Sequence, residues 1–486
     1  MSTISSTLPL QAGSPYQPLR ATQGIAAQRA PAAPSAVVTL SAQGQAAAAD
    51  ATPKPVSTAM RYRDLGAELL GGFGAGAVGA ADAAIPKDVD NRFALGVVTA
   101  SGRKVDLVLA NVGEAMFVRV DADPELGGDE RAALAGLAKG FQDAIDGMAL
   151  DTPRIRLGEL ARFSHPLLQS IELRAEVTLP GEPPERQSLA LRIDADRRSL
   201  AIDGPRGAIS LAIDTSRPEL LGTRQQQSRA IDIYLQEFDQ AARRGHGDPG
   251  LATMFRDAFA DLSRTSSRDA PELGAPVGGG TPLSTVDRAV LTGMADFEAT
   301  IAATPRQDNP ARRDEITGFR YAVSQATRIE EKDARRSLFQ VQISQLKAQF
   351  HEALDKRDLP AFDFRSETQN YRYHEIDDSA SSAVSLDYKD GRLLGARLEQ
   401  SLSESERVRK YVLGRLMTDD TTPARYALVR DLMATLAPYQ PGQAGRPDTA
   451  SEERRDEQRQ ASFDALGEEL VLLGSRLELA ERDARL

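Results

Sequence analysis

Residues 171–179 read Ile-Glu-Leu-Arg-Ala-Glu-Val-Thr-Leu. In an extended chain Ile171, Leu173, Ala175, Val177 and Leu179 share one face, and Glu172, Arg174, Glu176 and Thr178 share the other. A helix would scatter those apolar side chains around its axis, so the alternation predicts a half-buried strand. The pattern returns at Leu189, Leu191 and Ile193, at Leu200 and Ile202, and at Ile209, Leu211 and Ile213. Short polar turns separate these last runs, which predicts an antiparallel meander with one solvated face and one face needing a cover.

The cover is expected from the segment just upstream. Leu134, Leu137, Phe141, Ile145 and Met148 follow at steps of three and four, the spacing of one helix face, with Asp129 and Glu130 placed to suit the helix dipole. Before it, residues 93–99 and 105–109 read as strands joined through Ser101-Gly102-Arg103, and Met116 to Val120 as another. Together, residues 61–223 form a first expected unit. A helical pair follows over 224–263, with stripes Ile231, Tyr234, Leu235, Phe238 and then Leu251, Met254, Phe255, Ala258, Leu262. Asp248-Pro249 provides a capping carboxylate before a proline at the first helical position. Residues 264–283, with Gly278-Gly279-Gly280, read as a linker.

A second unit is expected over 284–403. Asp287-Arg-Ala-Val-Leu-Thr-Gly-Met-Ala before Phe297 and Ile301 echoes Glu130-Arg-Ala-Ala-Leu-Ala-Gly-Leu-Ala before Phe141 and Ile145, which reads as an internal duplication. Period-two runs then recur at Phe319, Tyr321 and Val323, at Phe339, Val341 and Ile343, at Tyr371 and Tyr373, and at Val384, Leu386 and Tyr388. Over residues 312–356 a charged helix competes with strands; Tyr, Thr, Val and Phe at period two favour strands. Asp390-Gly391 marks a two-residue hairpin turn. Helices are expected over 404–437, carried by Val408, Tyr411, Val412 and Leu416 and by Leu428, Val429, Leu432 and Leu436. A linker over 438–460 then leads to a terminal helix over 461–486. Its seam Phe463, Leu466, Leu470, Leu473 and Leu477 either packs on its own protein or offers a contact for a protein partner or a second copy. The expected fold class is therefore α+β: two helix-plus-antiparallel-sheet units with additional helices. Residues 1–60, rich in Ser, Ala, Pro and Gln, form an expected disordered tail.

Composition bounds the chemistry. The 486 residues include no cysteine and no tryptophan, and the four histidines, His165, His246, His351 and His374, lie far apart in sequence. Thiolate nucleophiles, disulfides and a His-x-x-x-His zinc helix are excluded, and no metal or other cofactor is expected. A net charge of -11 disfavours a nucleic-acid surface. The least polar run, Leu69 to Ala81, is too short to span a bilayer, and the first twenty residues lack the pattern of a cleaved signal. A cytoplasmic protein is expected, with signal-peptide-independent export as the alternative.

Candidate motifs are few. Gly74-Ala-Gly76-Ala-Val-Gly79 matches a dinucleotide-binding glycine pattern, but the preceding residues 61–70 read as helix, not as a parallel strand. His374, Glu375, Asp377 and Asp378 are the densest acid–base cluster; on a strand His374 and Asp378 share one face and Glu375 and Asp377 the other, so a solvated strand end or turn is expected. Ser344-Gln-Leu-Lys347 has the spacing of a serine–lysine pair without a companion motif, and Asp419-Asp420 reads as a capping loop before Thr421-Thr422-Pro423. His165, before Pro166, reads as a structural histidine.

Two longer stretches, GFQDAIDGMALDTPRIRLGELARFSHPLLQSIELRAEV at 140–177 and QNYRYHEIDDSASSAVSLDYKDGRL at 369–393, resemble a poorly characterised group of bacterial proteins with low-complexity N-terminal tails. The VTLSAQGQ stretch at 38–45 resembles an element in tails of some flagella-related and anti-sigma proteins. Some members of the bacterial group carry a lactate dehydrogenase label, which would imply NAD and an alternating parallel α/β pattern; this chain shows no such pattern. The expected function is that of a non-enzymatic interaction or scaffold protein working through protein–protein contacts. An NAD-linked oxidoreductase using Gly74, Gly76 and Gly79 is the alternative.

Overall fold

A computed structural model describes residues 57–74, 84–161, 166–264, 282–355, 362–440 and 449–470. Thirteen strands form one antiparallel sheet in the order β13-β12-β11-β10-β9-β8-β7-β6-β5-β4-β1-β2-β3. Those from the first half are β1 Asn91–Thr99, β2 Lys104–Val112, β3 Ala115–Ala122, β4 Leu168–Leu179, β5 Glu185–Asp194, β6 Arg197–Gly204 and β7 Gly207–Asp214. The second half supplies β8 Asp296–Ala303, β9 Gly318–Lys332, β10 Arg335–Ala353, β11 Tyr371–Lys389, β12 Arg392–Val412 and β13 Arg415–Asp431. The α+β antiparallel expectation holds. The two expected units share this single sheet, because β7 pairs directly with β8 from Gly207↔Ala303 to Asp214↔Asp296.

Helices cover one face. They are α1 Leu65–Gly74, α2 Gly128–Ala135, α3 Ala138–Met148, α4 Arg224–Arg244, α5 Pro249–Ser263, α6 Thr285–Ala289 and α7 Thr449–Leu470. As the sequence predicts, Phe141 and Ile145 of α3 are fully buried over the first strands. Asp248 caps α5, accepting from the Leu251 N–H at 2.7 Å, with Pro249 at its first position. The α4–α5 pair presses Tyr234, Phe238 and Phe259 onto Phe297 and Tyr321 of the sheet in edge-to-face contacts, for example 5.1 Å between Tyr234 and Phe297. Each such ring contributes roughly 2–3 kcal/mol of burial.

Several expectations are corrected. Phe297 and Ile301 lie in β8, not in a counterpart of the helix that holds Phe141 and Ile145; only the short α6 precedes them. Residues 404–431, expected to be helical, complete β12 and form β13; a single turn of helix, Met433–Leu436, remains. Their i, i+3, i+4 apolar spacing arises because Tyr411 faces one side of the sheet near a bulge while Tyr426 and Leu428 face the other. The helix α7 begins inside the expected 438–460 linker. The ambiguous residues 312–356 resolve as β9 and β10.

The described part of α7 lies on its own sheet: Leu466 and Leu470 are buried with Leu338, Val384 and Leu398, and Phe463 packs beside them. The C-terminal carbonyls of this described part accept from the sheet, Leu470 O from Gln342 Nε2 at 3.1 Å and Ser382 Oγ at 2.8 Å, and Glu469 O from Gln400 Nε2 at 2.8 Å. Leu473 and Leu477 lie outside the described residues, as does the tail through residue 56.

Candidate functional site: the capped end of the long strands

β10, β11 and β12 hold 19, 19 and 21 residues, about twice the length of β5–β8. At the end where β10 finishes and β11 begins, both faces of the sheet are covered. The sequence carries a trace of this: the buried side chains of β11 begin with Tyr371 and Tyr373 and then fall on even positions from Ile376 to Leu386, so the parity switches. Odd positions of this stretch face away from the helices, where they lie under residues 304–317 and 362–370.

On that side one register row reads His351, Tyr373, Arg409 across β10, β11 and β12. Glu315 is fully buried over it. His351 Nε2 lies 3.1 Å from Glu315 Oε2, and the Tyr371 hydroxyl donates to the same oxygen at 2.8 Å. His351 Nδ1 sits 3.3 Å from Thr317 Oγ1. Burial pushes the Glu315 carboxyl upward, but hydrogen bonds from His351, Tyr371 and Tyr411 outweigh it and hold the group below its ordinary value. Burial, with a carboxylate beside it, pushes the Tyr373 hydroxyl up to about 12, so it stays a neutral donor to Ile316 O at 2.9 Å. Arg409 lies over the Tyr373 ring at 4.9 Å, Arg312 over the Tyr411 ring at 4.8 Å, and Tyr371 stacks on Tyr411 at 4.9 Å. The Arg312 guanidinium reaches on to Gly414 O at 2.9 Å.

On the helix side of the same end, the Phe350 ring is stacked between His246, 3.8 Å away, and His374, 4.7 Å away. Burial, with His374 nearby, pushes the His246 imidazole below its ordinary value. Arg244, at the end of α4, binds Asp378 through two contacts of 2.5 and 3.2 Å, and His374 Nδ1 lies 2.9 Å from Glu406. The expected split of the acidic cluster is therefore real, with Glu375 and Asp377 on the opposite face beside Arg407 and Lys347. The expected solvated strand end is corrected: Asp378 is buried and His374 nearly so.

The other candidates do not converge with this end. Gly74 closes α1 and does not open a helix after a strand, while Gly76 and Gly79 lie outside the described residues, as does His165. Ser344 and Lys347, an odd number of positions apart in β10, point to opposite faces. Asp419 and Asp420, expected in a loop, are in β13, where Asp419 pairs with Arg407 at 2.7 Å. Sequence reasoning missed Glu315 and His351 because each is isolated in the chain, and only the tyrosine parity marks the second covered face.

Beyond the buried network, the β12–β13 turn Leu413-Gly414 is pinned to the 362–370 segment: Gly414 N–H donates to Gln369 O at 3.0 Å and Leu413 N–H to Asn370 Oδ1 at 2.8 Å. β13 then runs along the sheet as its last strand. Leu432 N–H just past it donates to Ala396 O of β12 at 2.9 Å. Even positions from 418 onward therefore direct their N–H groups inward, and odd positions outward. Pro423, which has no N–H, stands at an odd position. Comparison of the chain with family models, curated proteins and solved structures found no match.

Proposed function

We propose that this chain is a non-enzymatic interaction or scaffold protein that receives an extended segment of a protein partner along the outer edge of β13. The observation that supports it is a 17-residue strand whose second edge is unpaired among the described residues. Pro423 interrupts the outward N–H row, but Ala424 to Asp431 keeps the outward groups of Arg425, Ala427 and Val429. A strand added there gains main-chain hydrogen bonds, while side chains set the choice of sequence. Val429 is 56 % exposed on the open face and favours an apolar neighbour, and Arg425 an acidic one.

The histidine and carboxylate groups of the capped end support the same reading, since their contacts tie elements together: His351 to Glu315, His374 to Glu406 and Arg244 to Asp378. The test is an array of extended eight-residue peptides probed with wild type, Ala427→Pro and Leu428→Pro. Ala427→Pro removes only an outward N–H, so binding falls about tenfold or more with the fold retained; Leu428→Pro breaks the ladder to β12 and destabilises the protein by about 3 kcal/mol. Peptides bound equally by wild type and Ala427→Pro would contradict the edge. Micromolar NADH binding lost on Gly76→Val would favour the oxidoreductase alternative instead.

A further inference from the structure

Arg425 and Asp431 are both exposed on the open face of β13, and among the described residues neither has an ion-pair partner. Asp431 accepts one backbone bond, from the Met433 N–H at 2.7 Å. Elsewhere on the strand Asp419 pairs with Arg407, and Arg430 with Glu469. Arg425 and Asp431 stand about 20 Å apart along the strand, so they cannot meet within one chain. They do meet where two copies of the strand run antiparallel.

The outward N–H groups belong to odd positions, and odd side chains share the open face. An antiparallel copy therefore pairs odd with odd and even with even, about a two-fold axis through one residue. An axis through Leu428 sets Arg425 opposite Asp431 on both sides, Ala427 opposite Val429, Tyr426 opposite Arg430 and Leu428 opposite itself. The paired stretch is then 425–431, which leaves Pro423 outside the ladder. Other registers fit less well. An axis through Arg425 or Arg430 places like charges face to face, and one through Ala424, Tyr426 or Ala427 brings Pro423 into the ladder. An axis through Val429 sets Asp431 against Ala427 and Arg430 against Leu428.

From this complementarity we infer that the partner at this edge is a second copy of the chain, its β13 antiparallel to the first across an axis at Leu428. The inference rests on β13 being a docking edge, as proposed above. The first half of the strand, with Asp419, Asp420 and Pro423, carries the charges and proline that guard an edge against pairing. Residues 425–431 are left to pair. A contact confined to them is at the small end of specific interfaces, so assembly depends on concentration and the dilute chain keeps its outer edge open.

The test is sedimentation velocity of the full chain over a concentration series. Wild type is run beside Arg425→Asp, Asp431→Arg and an equimolar mixture of the two. Each reversal alone sets like charges opposite each other in both ion pairs, whereas one copy of each variant restores both. Wild type is expected to form dimers, each variant alone to associate about tenfold more weakly, and the mixture to recover wild-type association. That recovery separates loss of the ion pair from loss of the Asp431 bond to Met433. Wild type that stays monomeric throughout the series overturns the inference, as does a mixture that fails to recover. A dimer indifferent to both reversals or to Ala427→Pro also overturns it, since another surface would then hold the copies. Peptides bound by a monomeric wild type and lost on Ala427→Pro would sink self-pairing alone; peptides bound equally by both proteins would sink the edge itself.

Discussion

Leu413 shows most sharply how a single residue can be placed against its own local preference. Its left-handed backbone costs about 1 kcal/mol relative to a residue suited to that conformation. Leu413→Asn is expected to raise the thermal midpoint by a few degrees. Calorimetry checks this, and an unchanged or lower midpoint would show that Leu413 makes contacts that stabilise the free protein. Glu315 poses the opposite case, a buried charge kept because its partners are in place. Its folded-state value lies below the ordinary 4.5, so it contributes stability above that value that is lost as pH falls through the folded one. Glu315→Gln is expected to cost about 2 kcal/mol at pH 7. The gap to wild type should narrow below about pH 4.5, as acid melting curves of the two proteins can show. A gap that stays constant with pH would mean that shape, not charge, carries the contribution.

At the scale of elements, legibility followed how one-sided the environment was. β4 to β7 alternate cleanly because one face meets helices and the other meets water, and period two reads that difference directly. The covering helices were legible for the same reason, with Leu251, Met254, Phe255 and Leu262 all buried on α5. β12 and β13 were misread as helix because their environment changes along their length. Tyr411 is buried on the open side, Leu398 and Leu402 on the helix side, and residues 415–423 on neither. Where burial changes face partway along a strand, side chains at steps of three and four imitate a helix. The distinction between outward and inward N–H groups on β13 gives the proline pair its force: two adjacent substitutions of the same kind should act at different places, one on binding and the other on folding.

At the largest scale the described residues form one antiparallel sheet with a helical cover, and its class was legible from residues 171–213 alone. Its continuity was not. The glycine-rich stretch between α5 and α6 reads as a boundary, yet β7 and β8 pair side by side across it. Sequence distance says little about sheet neighbours when the strands on either side supply matching edges. The capped end was hidden for a related reason: Glu315, His351, Tyr371 and Arg409 come from four separate places in the chain, and only the register of three long strands assembles them. That assembly holds the turn and the final strand in position, so an exposed edge can be presented without collapsing onto the sheet. Residue-resolved hydrogen exchange along β13 of the isolated protein tests this most directly. Slow exchange at Tyr426, Leu428 and Arg430 with fast exchange at Arg425, Ala427 and Val429 is the predicted result; protection at both sets would show that the outer edge is already occupied and would contradict the account.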